Sequence, residues 1–324
     1  MNKLKKYSYI KINTKDELVK RLQMPLEFLE ETAKYIDIHW DKIVKTKKKK
    51  TGEIKSRDIY DGSYKLREIH NSIKKNILDR YDFPEEFVGG LKKRNLILNA
   101  TPHVSKRYVG SFDIEKFFPS IKPKQISQAF RREGCTPQVA DLLTKLVSVQ
   151  DHVPQGFATS THVALLTLLP VNSELKKLFS KHGFVYTLWI DDLNISGKND
   201  IYPIVPEIKT VFKKHGFKIH GLENPDKATI KKFTERQKVT NVIVNKKPNI
   251  SKEDFKNLRN TIYICKKYTI RGYRLKYKPM GDNGRLMTHT NFVSHINGKL
   301  SYAFSINRER VKKIKESWEE LIKT

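Results

Sequence analysis

Phe184-Val185-Tyr186-Thr187-Leu188-Trp189-Ile190-Asp191-Asp192-Leu193-Asn194-Ile195-Ser196-Gly197 sets two adjacent carboxylates between two short β-prone runs. Such runs meeting at an acidic tip predict a tight hairpin. Asp and Asn favour turns, so a plain hairpin turn is the simplest reading. Neither Asn-Gly nor Asp-Gly stands at the tip, however, and the flanks are unusually apolar. Two carboxylates raised on an apolar hairpin repel each other unless a cation lies between them. A metal site is the alternative reading, and it needs a third carboxylate from elsewhere.

Asp113 is the candidate. In Val109-Gly110-Ser111-Phe112-Asp113-Ile114-Glu115-Lys116-Phe117-Phe118-Pro119-Ser120-Ile121 an apolar strand ends at Asp113 and a Phe-Phe-Pro-Ser turn follows. Two strands that each bring carboxylates to one edge make a hard, oxygen-rich site. Magnesium suits such a site, since it takes a few carboxylates plus waters and substrate phosphates. Two metals so held clamp the attacking and leaving oxygens of an in-line phosphoryl displacement.

The 324 residues suffice for one large domain or two to three smaller ones. Lys plus Arg number 64 against 35 Asp plus Glu, a net charge of +29. That excess points to a polyanionic partner, with nucleic acid first and an anionic membrane surface as the rival. The longest apolar stretch, Val163 to Val171, contains Pro170 and is too short to span a bilayer. The beginning, Met1-Asn2-Lys3-Leu4-Lys5-Lys6, lacks the apolar core of a signal peptide. Cys135 and Cys265 are the two cysteines, so neither a disulfide framework nor a cysteine zinc site is expected, and a reducing cytoplasm is the default location.

Along the chain, residues 11–39 predict two helices, the first opened by a Thr14/Glu17 capping box. Lys45-Thr46-Lys47-Lys48-Lys49-Lys50 reads as a hairpin tip between strand-like pieces, either solvated or touching phosphates. Lys55 and Arg57 alternate on the returning strand and share a face, with Arg the better bidentate phosphate ligand. Tyr64 to Leu78 has helical periodicity. Gly89-Gly90 marks a loop, followed by Lys92-Lys93-Arg94 and Asn99-Ala100-Thr101-Pro102-His103. Lys92, Lys93, Arg94, Asn99, His103 and Trp189 are candidate nucleic-acid contacts. No Ser or Cys partner places His103 in a hydrolytic triad. Pro123 to Phe130 and Pro137 to Val147 predict helices. Val153-Pro154-Gln155-Gly156 reads either as an ordinary turn or as one that opens onto a helix and offers free N–H groups to an anion. Lys238 to Val244 predicts a short strand, Ser251 to about Lys267 a helix, 268–287 a basic loop, and Asn291 to Thr324 two helices.

Taken in order over residues 40 to 315, these pieces resemble a bacterial retron-type reverse transcriptase. Phe112 to Ile121 is similar to the family's first palm motif, and Val153-Pro154-Gln155-Gly156 to its Pro-Gln-Gly motif. Trp189-Ile190-Asp191-Asp192 stands where the family has Tyr-x-Asp-Asp. Lys227 with Thr229, Val239-Thr240-Asn241, and Asn99-Ala100-Thr101-Pro102-His103 resemble three further motifs, the last an Asn-Ala-x-x-His signature. Trp189 replaces the usual Tyr, Thr161 stands where proline commonly follows, and Asn241 replaces the glycine of Val-Thr-Gly.

The resemblance implies an α+β, right-hand polymerase fold. Residues 1–110 would hold N-terminal helices and fingers, 111–250 the palm with part of the fingers at about 122–160, and 251–324 a helical thumb. It implies that Asp113, Asp191 and Asp192 bind two Mg2+, with Mn2+ as a substitute ion. Phe118 would gate against a 2′-hydroxyl, Gln155 and Gly156 would line the nucleotide pocket, Lys55 and Arg57 would hold the triphosphate, and Lys227 would protonate pyrophosphate. The implied activity is RNA-directed DNA polymerisation on a dedicated structured non-coding RNA, giving a DNA product from dNTPs. The implied role is anti-phage defence, often with a separate effector protein. A non-retron defence reverse transcriptase making repetitive or untemplated DNA is the first alternative. A non-catalytic RNA-binding scaffold is the second.

Overall fold

The computed structural model describes residues 8–48, 54–281 and 284–323. Lys49, Lys50, Thr51 and Gly52 of the basic tip lie outside the described residues, as do the side chains of Lys47, Lys48 and Lys55. The chain mixes helices with antiparallel sheet and divides into two compact units: Met1–Arg94 with Gly110–Ile230, and Asn95–Val109 with Lys231–Thr324.

In the first unit, strands β1 (Trp40–Lys48) and β2 (Ile54–Gly62) pair antiparallel, in register from Trp40 opposite Gly62 to Lys48 opposite Ile54. The Thr14 hydroxyl accepts from Glu17 N–H at 3.1 Å, and the Glu17 carboxylate accepts from Asn13 N–H, closing the first helix, Lys15–Leu22. Helices Pro123–Arg132 and Pro137–Val147 open on prolines, where no amide hydrogen is needed. Ser160–Thr167 is buried on nearly all sides, as an apolar core helix must be. Pro170 does not break the chain there. It sits in the first turn of a second helix, Leu169–His182, which Gly183 ends in the left-handed region.

A four-stranded sheet carries the site. Its strands are β3 (Tyr108–Asp113), β4 (Val185–Trp189), β5 (Asp192–Gly197) and β6 (Ala228–Lys232), in the order β4-β5-β3-β6. β4 and β5 form the antiparallel hairpin, with Trp189 opposite Asp192. Leu188, Leu193, Ile195 and Phe112 are fully buried, and Asn194 and Ser196 are buried between them, so β5 lies inside the core on both faces and the half-buried hairpin tip stands at its edge.

The second unit has a core of Leu258, Ile262, Cys265, Phe292, Ile296, Leu300 and Trp318. Three helices supply it, Lys252–Tyr277, His289–Ile306 and Arg308–Leu321, N-capped by Ser251, Thr288 and Asn307. Two expectations are corrected here. The first of these helices breaks at Tyr268 and Thr269, close to the expected end near Lys267, and helix resumes to Tyr277, so part of the expected 268–287 basic loop is helix. Lys238 to Val244 is not one strand but two, β7 (Lys238–Val239) and β8 (Val242–Ile243), folded about Thr240 and Asn241. Both turn residues have positive φ, 45° and 68°, the pattern of a type I′ hairpin. Asn tolerates that region nearly as well as Gly, so Asn241 keeps the turn a glycine would make. Thr240 does not tolerate it by itself, because it is β-branched.

Candidate active site

The hairpin tip is two residues long. Ile190 has φ 59°, and positive φ at the first loop position alone is the mark of a type II′ turn, which favours glycine there. A β-branched residue in that region costs roughly 1–2 kcal/mol. Strain of this kind persists where the surroundings over-determine the backbone.

Asp113, at the end of β3, is brought to this tip by the main chain: Ile114 N–H donates to the Asp191 carbonyl at 2.9 Å. Asp113 N–H donates to the Lys227 carbonyl at 3.0 Å, and His220 N–H to the Asp113 carbonyl at 2.9 Å. One strand end, one turn and one loop therefore converge. Asp191 and Asp192 are half-buried with few cations to compensate them. Burial raises the Asp191 carboxyl above the usual range, Asp113 adds to the shift, and Lys227 and Arg57 oppose it. Burial, then the charges of Asp191 and Asp113, push Asp192 up to about 7. The three carboxylates thus lie in one another's field.

They are not closed into a ready ligand set. Among the described residues, no group of three or more His, Cys, Asp or Glu side chains is disposed to hold a metal ion. Asp113 has partners of its own: its Oδ2 accepts from Lys227 Nζ at 2.5 Å and its Oδ1 lies 3.5 Å from His220 Nε2. His220 Nδ1 in turn lies 3.6 Å from Glu115 Oε1, which Lys218 Nζ approaches at 3.0 Å. His220 and Glu115 are site neighbours that no sequence motif announced, since the histidine arrives from a segment more than a hundred positions away.

The other expected residues divide. Arg57 is exposed on β2, and its charge is felt at Asp191. Phe118 is half-buried against Phe117, ring centroids 5.4 Å apart, while Phe117 goes into the core. Gln155 and Gly156 are stitched to β2: Tyr60 N–H donates to the Gln155 carbonyl at 2.7 Å, and a Cβ on Gly156 would stand 2.3 Å from the Tyr60 carbonyl oxygen. The Pro-Gln-Gly turn opens onto a helix that begins at Ser160, with Phe157, Ala158 and Thr159 between.

Three candidate nucleic-acid contacts are corrected as well. Arg94 points inward, donating to the carbonyls of Phe83, Pro84 and Phe87. Asn99 is fully buried, and its Nδ2 donates to the Thr240 hydroxyl at 2.5 Å, which holds the otherwise strained turn residue. His103 is fully buried too, and burial pushes its imidazole down to about 3. Lys92 pairs with the buried Asp79 at 2.6 Å, and His162 Nε2 stands 3.2 Å from the same carboxylate without the alignment of a hydrogen bond. Lys93 is exposed, and Trp189 is half-buried at the hairpin tip. Gly89 was read only as loop, yet its backbone lies against the Trp189–Ile190 peptide.

A family model for the reverse transcriptase (RNA-dependent DNA polymerase) domain matches residues 47–240, a span that holds every carboxylate of the site. The chain belongs to the reverse transcriptase family. Among its curated relatives are retron reverse transcriptases. It is 30% identical over 225 residues to the retron Se72 reverse transcriptase of Salmonella heidelberg, which covers 66% of this chain and 58% of that protein. It is 26% identical over 219 residues to the retron Ec86 reverse transcriptase of Escherichia coli, covering 67% and 68%. The retron Ec48 reverse transcriptase of Escherichia coli is 27% identical over 220 residues, covering 62% and 52%. The chain thus spans little more than half the length of two of these three relatives. No helix among the described residues is long and apolar enough to cross a membrane.

Proposed function

We propose that the protein is an RNA-directed DNA polymerase of the retron type, copying a structured non-coding RNA into DNA in anti-phage defence. The observation that carries this reading is the convergence of Asp113, Asp191 and Asp192 at one sheet edge inside the matched family domain, with the charge of Arg57 felt at Asp191. On this reading β1 and β2 belong to the fingers, the four-stranded sheet is the palm, and the C-terminal helices are the thumb.

The donor chemistry fits magnesium: all three candidate ligands are carboxylates, and two are destabilised by burial and by each other. Asp113, Asp191 and Asp192 would hold two ions, with manganese as a substitute. When bound, the ions supply charge neutralisation at the primer hydroxyl and at the transferred phosphate. The chain's own residues do the rest. Arg57 grips the triphosphate of the incoming dNTP from β2, with Lys55 as the second candidate ligand. Gln155 and Gly156, fixed to β2 by the Tyr60 backbone, floor the nucleotide pocket. Phe118 packs on the sugar and excludes a 2′-hydroxyl. Lys227, whose Nζ donates to Asp113 Oδ2 at 2.5 Å, would deliver a proton to the leaving pyrophosphate. The excess of positive charge binds the template–primer duplex through its phosphates. A separate effector protein completes the defence role.

The nucleic acid that copurifies with the protein, expressed with its native flanking DNA, tests the reading. Half is treated with RNase and half with DNase, beside an Asp191→Asn/Asp192→Asn variant. A discrete DNA band present only with the wild type, still joined to RNA, supports the proposal. RNA alone in both samples, with unchanged protection of cells, sinks it and leaves a binding scaffold.

A further inference from the structure

The strained turn at Ile190 raises the question of what holds it. Gly89 lies against it, and Gly90 stands between the Ile190 side chain and Thr161. The segment Glu86–Val88 meets β4 in a parallel bridge between Phe87 and Leu188: Leu188 N–H donates to the Glu86 carbonyl at 2.7 Å, and Val88 N–H to the Leu188 carbonyl at 2.9 Å. This carries Gly89 onto the hairpin tip. A Cβ on Gly89 would stand 2.7 Å from Ile190 N, 2.8 Å from Trp189 C and 2.9 Å from Trp189 Cα. All three are backbone atoms, so no rotamer change could make room. Gly90 has φ 73°, and a Cβ there would lie 2.3 Å from Thr161 Cγ2 and 3.6 Å from the Ile190 side chain. Thr161, at the start of the helix after the Pro-Gln-Gly turn, therefore fills the space that Gly90 leaves. The segment is anchored from behind by Arg94, whose guanidinium takes the carbonyls of Phe83, Pro84 and Phe87.

We propose that Gly89, Gly90 and Thr161 form a cradle for the Ile190 turn and act as positioning residues for Asp191 and Asp192. The catalytic half of this statement rests on the polymerase reading given above; the cradle itself does not. A closest approach of 2.7 Å must open by roughly half an ångström or more when Gly89 becomes Ala, and that displacement falls on the tip. Catalytic groups need placement within about 0.5 Å. A shift of about 1 Å costs on the order of a hundredfold in rate.

The test uses the full chain with two readouts. One is steady-state extension of an oligo(dT) primer on poly(rA) with magnesium, giving kcat and the KM for dTTP. The other is fluorine NMR of protein labelled with 5-fluorotryptophan. The chain has three tryptophans, and Trp189 alone adjoins the tip, while Trp40 and Trp318 serve as internal controls. Gly89→Ala is expected to lower kcat about tenfold to a hundredfold with the KM for dTTP within about twofold, and to shift the Trp189 resonance while Trp40 and Trp318 stay in place. In the Gly90→Ala background, Thr161→Ser removes the clashing methyl and is expected to recover part of both effects; no recovery removes Thr161 from the cradle. Should Gly89→Ala not fold, Gly90→Ala carries the same two readings. An unmoved Trp189 resonance overturns the cradle whatever the activity, and a shifted resonance with kcat within about twofold of wild type overturns its link to catalysis. A wild type that extends no primer, while Trp189 still responds to Gly89→Ala, refutes the polymerase reading and leaves the cradle standing.

Discussion

Lowering the pH from 7 to 5 should destabilise the protein, and the share due to His103 can be isolated. Burial pushes the His103 imidazole down to about 3, helped by the charge of Lys106. An unfolded histidine titrates near 6.5. The unfolded chain therefore takes up the proton first, and stability is lost as the pH falls below about 6.5. At pH 5 the unfolded ring is protonated by about 30 to 1 and the folded ring by about 1 to 100, a difference of roughly 2 kcal/mol. A folded value one pH unit higher changes that figure by less than about 0.1 kcal/mol, so the prediction does not hang on the exact value. His70 and His162, each held down to about 4 by burial, act in the same direction, for roughly 6 kcal/mol from the three rings, while the raised carboxyls of Asp191 and Asp192 take up protons in the folded state and oppose that loss. The assay is urea unfolding followed by far-ultraviolet circular dichroism at both pH values, for the wild type and His103→Phe. Whatever its stability at pH 7, the variant should lose about 2 kcal/mol less than the wild type on acidification. Equal losses would mean that His103 titrates normally in the folded protein, and its place in the interior would have to be given up.

Further expectations follow from the same contacts. Asn99→Ala leaves the Thr240 hydroxyl unheld beneath a strained turn and should lower the unfolding free energy by about 1–3 kcal/mol, read from the urea midpoint. Asn241→Gly should do the opposite by up to about 1 kcal/mol, because φ 68° suits glycine without penalty. Arg94→Met should cost about 2–4 kcal/mol of stability, yet leave the salt dependence of RNA affinity unchanged, since the guanidinium meets backbone carbonyls rather than phosphates. Arg57→Ala should raise the KM for dNTPs about tenfold to a hundredfold with little change in the melting temperature, as loss of one charge-assisted contact to phosphate predicts.

What could be read from the sequence was what local pattern encodes. The two apolar, β-prone runs meeting at Asp191-Asp192 define the hairpin, and the apolar run into Asp113 defines its neighbour in the sheet. The remainder depends on contacts between distant positions. Arg94 and His103 look like surface groups because charge and polarity usually stay in water, and only the carbonyl cage and the burial show otherwise. The turn at Thr240 and Asn241 lacks an Asn-Gly signature; its strain is held by Asn99, 141 positions earlier. The break at Tyr268 and Thr269, after which helix resumes, is one that no proline marks. Gly89 looks like a loop residue until the Trp189–Ile190 peptide is seen lying against it.

The most direct test of the central claim is extension of a DNA primer on an RNA template by the purified protein, with magnesium, for the wild type and Asp192→Asn. Extension by the wild type that needs the RNA template and the metal, and that falls by about a thousandfold or more in the variant, is the predicted result. Extension that survives in Asp192→Asn, or a wild type that adds no nucleotides, would contradict it.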